Sequence, residues 1–187
     1  MFKAHFLALW DPAISALVAA SHGDRVADAA LNRYLASWQD SGDWSALARS
    51  LSRIRDGVRY DPGLYAGLDE VDTMIATRAL DSLAGQVTIS IALWPAMRFG
   101  TLLSDFVFGA ATGDTPMVDA ARRNLNTMAT TEPNLTGLAQ ALTEILEGNR
   151  DPGLAERFAD PFQRAVIDTV LYYIPLCVSE DPRTQWM

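Results

Sequence analysis

Leu47-Ala48-Arg49-Ser50-Leu51-Ser52-Arg53-Ile54-Arg55-Asp56-Gly57 decides the reading of this chain. Leu47, Leu51 and Ile54 fall at i, i+4 and i+7, a single apolar stripe of an α-helix, and Gly57 stands where a left-handed residue ends one. About 91 residues later the pattern returns as Leu138-Ala139-Gln140-Ala141-Leu142-Thr143-Glu144-Ile145-Leu146-Glu147-Gly148. The next segment, Arg59-Tyr60-Asp61-Pro62-Gly63-Leu64, returns as Arg150-Asp151-Pro152-Gly153-Leu154, one residue shorter. Upstream, Gly23-Asp24 matches Gly113-Asp114; downstream, Asp69 matches Asp160 and Leu80 matches Leu171. The chain is therefore expected to hold two pseudo-repeats, over about residues 10–86 and 99–176. An apolar linker covers 87–98 and a tail 177–187.

Each unit reads as about four helices, and the expected fold is all-α, either a compact bundle or a short solenoid. Asp11-Pro12 has the form of an N-cap followed by an N1 proline, with Thr101 as the matching cap. A second helix follows Asp24 in one unit, and Asp114 or Thr115 with Pro116 in the other. Asp43 and Asn134 are candidate caps of the third helix. Asp160-Pro161 opens the last, with Gln163 placed as in a capping box. Val87–Ile91 is β-branched but has no evident strand partner.

Length and composition bound the rest. With 187 residues, 49% of them hydrophobic, the chain suits one globular domain with a substantial core. Its 15 Lys and Arg against 23 Asp and Glu give a net charge of -8, which argues against a nucleic-acid surface. The single cysteine, Cys177, excludes an internal disulfide and reads as a small buried hydrophobe in a reducing, cytoplasmic setting. The start Met1–Trp10 has too short an apolar run for a signal peptide. Val87–Ala111 is long enough to span a bilayer, but Pro95, Arg98, Gly100 and Asp105 interrupt it. It reads instead as a helical segment buried between the units, so no membrane is expected.

Catalytic groups are sparse. The histidines are His5 and His22 alone. Ser21-His22-Gly23-Asp24 is a loop into a helix, since adjacent residues do not converge as a triad must. No paired histidines or calcium loop indicate a metal, and the lone lysine, Lys3, excludes a phosphate-binding Gly-Lys loop. No cofactor is expected. Asp69, Glu70 and Asp72 read as dipole-complementing residues at a helix start. The arginines of the repeated turn, Arg59 and Arg150, read as binding the last carbonyls of the preceding helix, with ligand binding as the alternative.

Two groups of residues are candidate sites. Arg49 and Arg53, one turn apart, have no basic counterparts in the second unit. With Trp38 and Trp44, and with Tyr34 nearby, they mark a candidate partner-binding face. The basic pair also has possible acidic counterparts, Glu144 and Glu147, across a homo-oligomer contact. Arg98 and Asp105, inside the apolar middle, are the candidate ligand-binding pair. The polar tail ending in Trp186-Met187 is expected to fray or to dock.

The pattern from Trp44 to Leu83, and in weaker form from Leu135 to Ile174, resembles helical segments of multidomain bacterial proteins. These lie beside tetratricopeptide arrays and caspase-like CHAT or nucleotide-binding domains. The resemblance implies an accessory role in bacterial signalling or defence and carries over no catalytic residue. The expected function is that of a non-enzymatic adaptor or regulator binding another protein. The alternatives are a small-molecule sensor or enzyme with a site between the repeats, an inhibitor or immunity protein, and the substrate of a partner protease.

Overall fold

The structure, a computed structural model, describes residues 3–40 and 42–180. The expectations for Trp186 and Met187 lie outside the described residues. The protein is all-helical: no strand occurs among the described residues. Its α-helices are α1 (Ala4–Ser21), α2 (Arg25–Trp38), α3 (Ser45–Arg55), α4 (Glu70–Leu83), α5 (Leu102–Thr112), α6 (Thr115–Thr131), α7 (Thr136–Leu146) and α8 (Pro161–Glu180). Short 3-10 helices cover Gly42–Trp44, Pro62–Tyr65, Ile91–Phe99, Pro133–Leu135 and Pro152–Arg157. The chain forms two compact units. One runs from Trp10 to Met97; the other comprises, of the described residues, 3–9 and 98–180.

In the first unit, α3 packs on both α2 and α4. Its expected stripe, Leu47, Leu51 and Ile54, is buried, as are Leu31 and Leu35 of α2 and Ile75 and Ala79 of α4. Burying such a Leu or Ile side chain contributes roughly 1.5–3 kcal/mol, and this apolar stripe fixes the helices' rotation. In the second unit, α5 packs on α6 and α8, and α7 on α6 and α8. Phe106, Val107, Leu125, Leu142, Ile145, Ile167, Val170 and Tyr173 supply its core.

Side-chain caps start α2, α4 and α6. Asp24 accepts from the amides of Val26 and Ala27, Asp114 from Met117, and Asp69 from Asp72. The ends of α3 and α7 carry the same bonds. The amides of Val58 and Asn149 reach back to the carbonyls of Arg53 and Glu144. Gly57 (φ 100°) and Gly148 (φ 103°) make the turn, in backbone space that side chains disfavour. Asp61 and Asp151 then accept from the amides of Gly63 and Gly153, each starting a short 3-10 helix.

Several local expectations are corrected. α1 starts at Ala4, so Pro12 lies inside it and Asp11 does not cap it. Asp11 instead accepts two hydrogen bonds from Arg78. The buried neighbours Ala8, Leu9 and Trp10 offset the bond that Pro12 cannot make. Asp43 and Asn134 sit one residue too early to cap: they lie inside 3-10 turns, and Trp44 and Leu135 take the N-cap positions without a side-chain bond. Thr101 holds the cap position of α5, but its hydroxyl donates to Asp105. Gln163 donates its amide to Asp160, the reverse of a capping box. Residues 87–111 are not one buried helix. Pro95 lies in the 3-10 helix Ile91–Phe99, Gly100 (φ 57°) turns the chain, and Ile91 and Arg98 are exposed. Among the described residues, α1 alone is by itself long and apolar enough to cross a membrane; 72% of it is buried, as in a core helix.

Candidate interaction surfaces

The tryptophans of the expected partner face belong to an aromatic cluster. Trp10, fully buried, lies 5.8 Å from Tyr34, 5.9 Å from Trp38 and 5.5 Å from Trp44 between ring centroids. Tyr34, Trp38 and Trp44 are half-buried around it. Burial pushes the Tyr34 phenol up to about 12, partly opposed by a hydrogen bond with Trp38. Tilted and edge-to-face pairs of this kind contribute about 0.5–1.5 kcal/mol each beyond their buried area. This cluster ties α1, α2 and the turn before α3 together.

The arginines of that face part company. Arg49 is exposed. Arg53 turns onto the Asp61-Pro62-Gly63 turn, donating to the Gly63 carbonyl at 2.9 Å and to the Asp61 carboxylate. Hydrogen bonds from the Gly63 amide and from Arg53 hold Asp61 below the usual carboxylate range. Arg55 pairs with Asp28 at 2.7 Å. Glu144, the expected acidic counterpart, accepts from Arg157 at 2.9 Å and from Asn149 at 3.0 Å within its own unit.

Arg98 and Asp105 are not brought together. Arg98 binds Glu132 at 2.9 Å and lies 4.7 Å over the ring of Phe99. Asp105 accepts from Thr101 at 3.1 Å. A shallow groove of about 270 Å3 nearby is lined by Phe99, Thr101, Met128 and Glu132 among others, and by neither of the pair.

The other flagged groups take structural places. Asp24 caps α2, and the Ser21 hydroxyl donates to the Val18 carbonyl, so the Ser21–Asp24 segment is a helix-connecting loop. His5 packs against Phe6 and Phe108. Cys177 is fully buried. No group of three His, Cys, Asp or Glu suited to a metal occurs among the described residues. Asp72 lies in the first turn of α4 as expected and is buried, 4% exposed; burial together with the Asp69 charge lifts its carboxyl to about 6.

The repeated arginines both close a helix end. Arg59 donates to the carbonyls of Ile54 and Val58. Arg150 donates to those of Ile145, Asn149 and Ala110. Burial lowers the pKa of Arg150 from its ordinary value.

The feature that sequence reasoning missed lies on α8. Along its outer side, exposed residues begin polar, with Arg164 and Asp168, and then turn apolar. Tyr172 is 56% exposed, Leu176 38% and Val178 37%, and Pro175 is exposed between them. Tyr172 and Leu176 are one turn apart and share a face. Alongside runs an apolar groove of about 460 Å3 lined by Leu171, Ile174, Pro175, Val178, Ser179 and Arg150. The signal was present in the sequence, since the spacing Asp168, Tyr172, Leu176 continues one helical face from polar to apolar. It was obscured because an apolar run around Cys177 reads equally well as core.

Comparison of the chain with protein-family models, curated proteins and solved structures returns no match.

Proposed function

We propose that this protein is a helical adaptor or regulatory protein, and that the outer face at the C-terminal end of α8 is its docking surface for another protein. The observation that carries the proposal is the change along one helix face from Arg164 and Asp168 to exposed Tyr172 and Leu176. A surface helix normally keeps its outer face polar. An exposed Tyr and Leu there gain free energy when a partner covers them. The resemblance of residues 44–83 to helical segments of bacterial multidomain proteins supports an accessory role beside such proteins.

We further propose that the chain is built of two copies of one helical unit. The support is local. α3 and α7 are each 11 residues long, each follows a 3-10 turn, and each ends on a positive-φ glycine with the same bonds and the same following arginine. On this reading the units have diverged in use: the arginine–tryptophan region of the first holds its own fold, while α8 of the second presents the contact.

The test is affinity capture from the source cells with wild type and a Tyr172→Asp/Leu176→Asp variant. A specific protein retained by wild type and lost from the folded variant is expected. Equal retention by both would refute the α8 surface.

A further inference from the structure

Arg150 differs from the paired arginines of this protein. Arg53, Arg55, Arg78, Arg98 and Arg157 each meet a carboxylate within 4 Å. Arg150 meets backbone carbonyls: Nη1 donates to Ile145 and Asn149, and Nη2 to Ala110. A guanidinium has five N–H groups. Three are used here, which leaves the Nε hydrogen and one on Nη2 without an acceptor among the described residues. Three carbonyls fix the plane of the group but leave its positive charge unneutralised.

That charge stands at the side of the groove on α8. Apart from Arg150 and Ser179, its lining is Leu171, Ile174, Pro175 and Val178. The Ser179 hydroxyl donates to the Leu176 carbonyl, so it offers the groove an acceptor at most. Leu171 to Val178 spans roughly 10 Å of helix. At about 460 Å3 the groove has the size of a small-molecule site, with an apolar wall and one fixed polar group.

We propose that this groove binds a free amphiphilic carboxylate, with a saturated chain along Leu171, Ile174, Pro175 and Val178 and its carboxylate on Arg150. A planar guanidinium already held on one side suits a two-oxygen anion, and charge-assisted bonds of this kind are the strong ones. The lining carries no second cation, which disfavours a doubly charged phosphate. Arg59, the counterpart in the other unit, is used here as a helix-end group only, so the ligand site is a property of the second turn. This inference stands apart from the protein contact at Tyr172 and Leu176.

The test uses the full chain and decanoate, titrated by calorimetry and followed by heteronuclear NMR, with decanol as the uncharged control. Saturable binding of decanoate is expected, at least tenfold tighter than decanol, with shifts centred on Val178 and Ile174. Arg150→Lys keeps the charge but loses the fork, and should weaken decanoate at least tenfold while leaving decanol unchanged. Because Arg150 also closes a helix end, Val178→Trp is the second variant; it fills the groove from an exposed position and should abolish binding without altering the fold seen by circular dichroism. No saturable binding, equal affinity for decanol, or undiminished binding by the folded Val178→Trp variant would each overturn the proposal.

Discussion

Arg78 clasps Asp11 with two hydrogen bonds, at 2.7 and 3.0 Å, and the Asp11 residue is only 3% exposed. A buried pair of this kind is costly to break from one side, because the remaining charge stays out of water. Arg78→Met is expected to destabilise the protein by about 3–5 kcal/mol. Adding Asp11→Leu should recover a large part of that loss. Urea denaturation of the single and double variants checks both; an additive double variant would show that the two residues act independently.

Asp72 makes stability depend on pH in the direction opposite to acid denaturation. Its carboxyl is pushed up to about 6 in the folded chain from its ordinary value of 3.8. Between these values the folded state binds the extra proton, so this residue's contribution to stability falls as pH rises from about 4 to about 6 and stays low above that. Asp72→Asn is expected to stabilise the protein at pH 7.5 by about 1–2 kcal/mol and to have little effect at pH 4. Denaturant midpoints at the two pH values decide it. Asp28 and Asp61, whose carboxyls are held low by arginine and backbone partners, act in the other sense and at lower pH.

Trp10 is the hub of the aromatic cluster. Trp10→Ala should cost about 3–5 kcal/mol, as for other large buried aromatics. Tyr60, 99% exposed, supplies the control: Tyr60→Ala is expected to change stability by less than about 0.5 kcal/mol. Thermal melts of both variants give the comparison.

The two helix-ending glycines test the likeness of the turns. Both have φ near 100° and nothing within 4 Å of an added Cβ, so backbone strain alone sets the penalty. Gly57→Ala and Gly148→Ala should each cost about 1–2 kcal/mol, and by similar amounts. A difference of several-fold would show that the turns are not equivalent.

Helices whose information is local were legible in the sequence. The stripe Leu47, Leu51, Ile54, the caps Asp24 and Asp114 and the glycines 57 and 148 depend on neighbours a few residues away. The start of α1 was not, because Asp11-Pro12 has the form of a cap and the partner that engages Asp11, Arg78, lies 67 positions along the chain. Asp43 and Asn134 have the residue type of caps, but a 3-10 turn displaces the cap position by one residue. The aromatic residues were legible as a group, but not that Trp10 joins Tyr34, Trp38 and Trp44. The outer face of α8 was hidden for a different reason: hydrophobicity alone does not say which side of a helix its neighbours leave uncovered.

The docking role of α8 is tested most directly by a photo-crosslinking residue placed at Tyr172 or Leu176, with Arg164 and Asp168 on the same helix as controls. In the source cells, residues 172 and 176 are expected to cross-link to one and the same other protein, and residues 164 and 168 to it weakly or not at all. No cross-link at 172 and 176, the same products from all four positions, or cross-links only to a second copy of this chain would contradict the account.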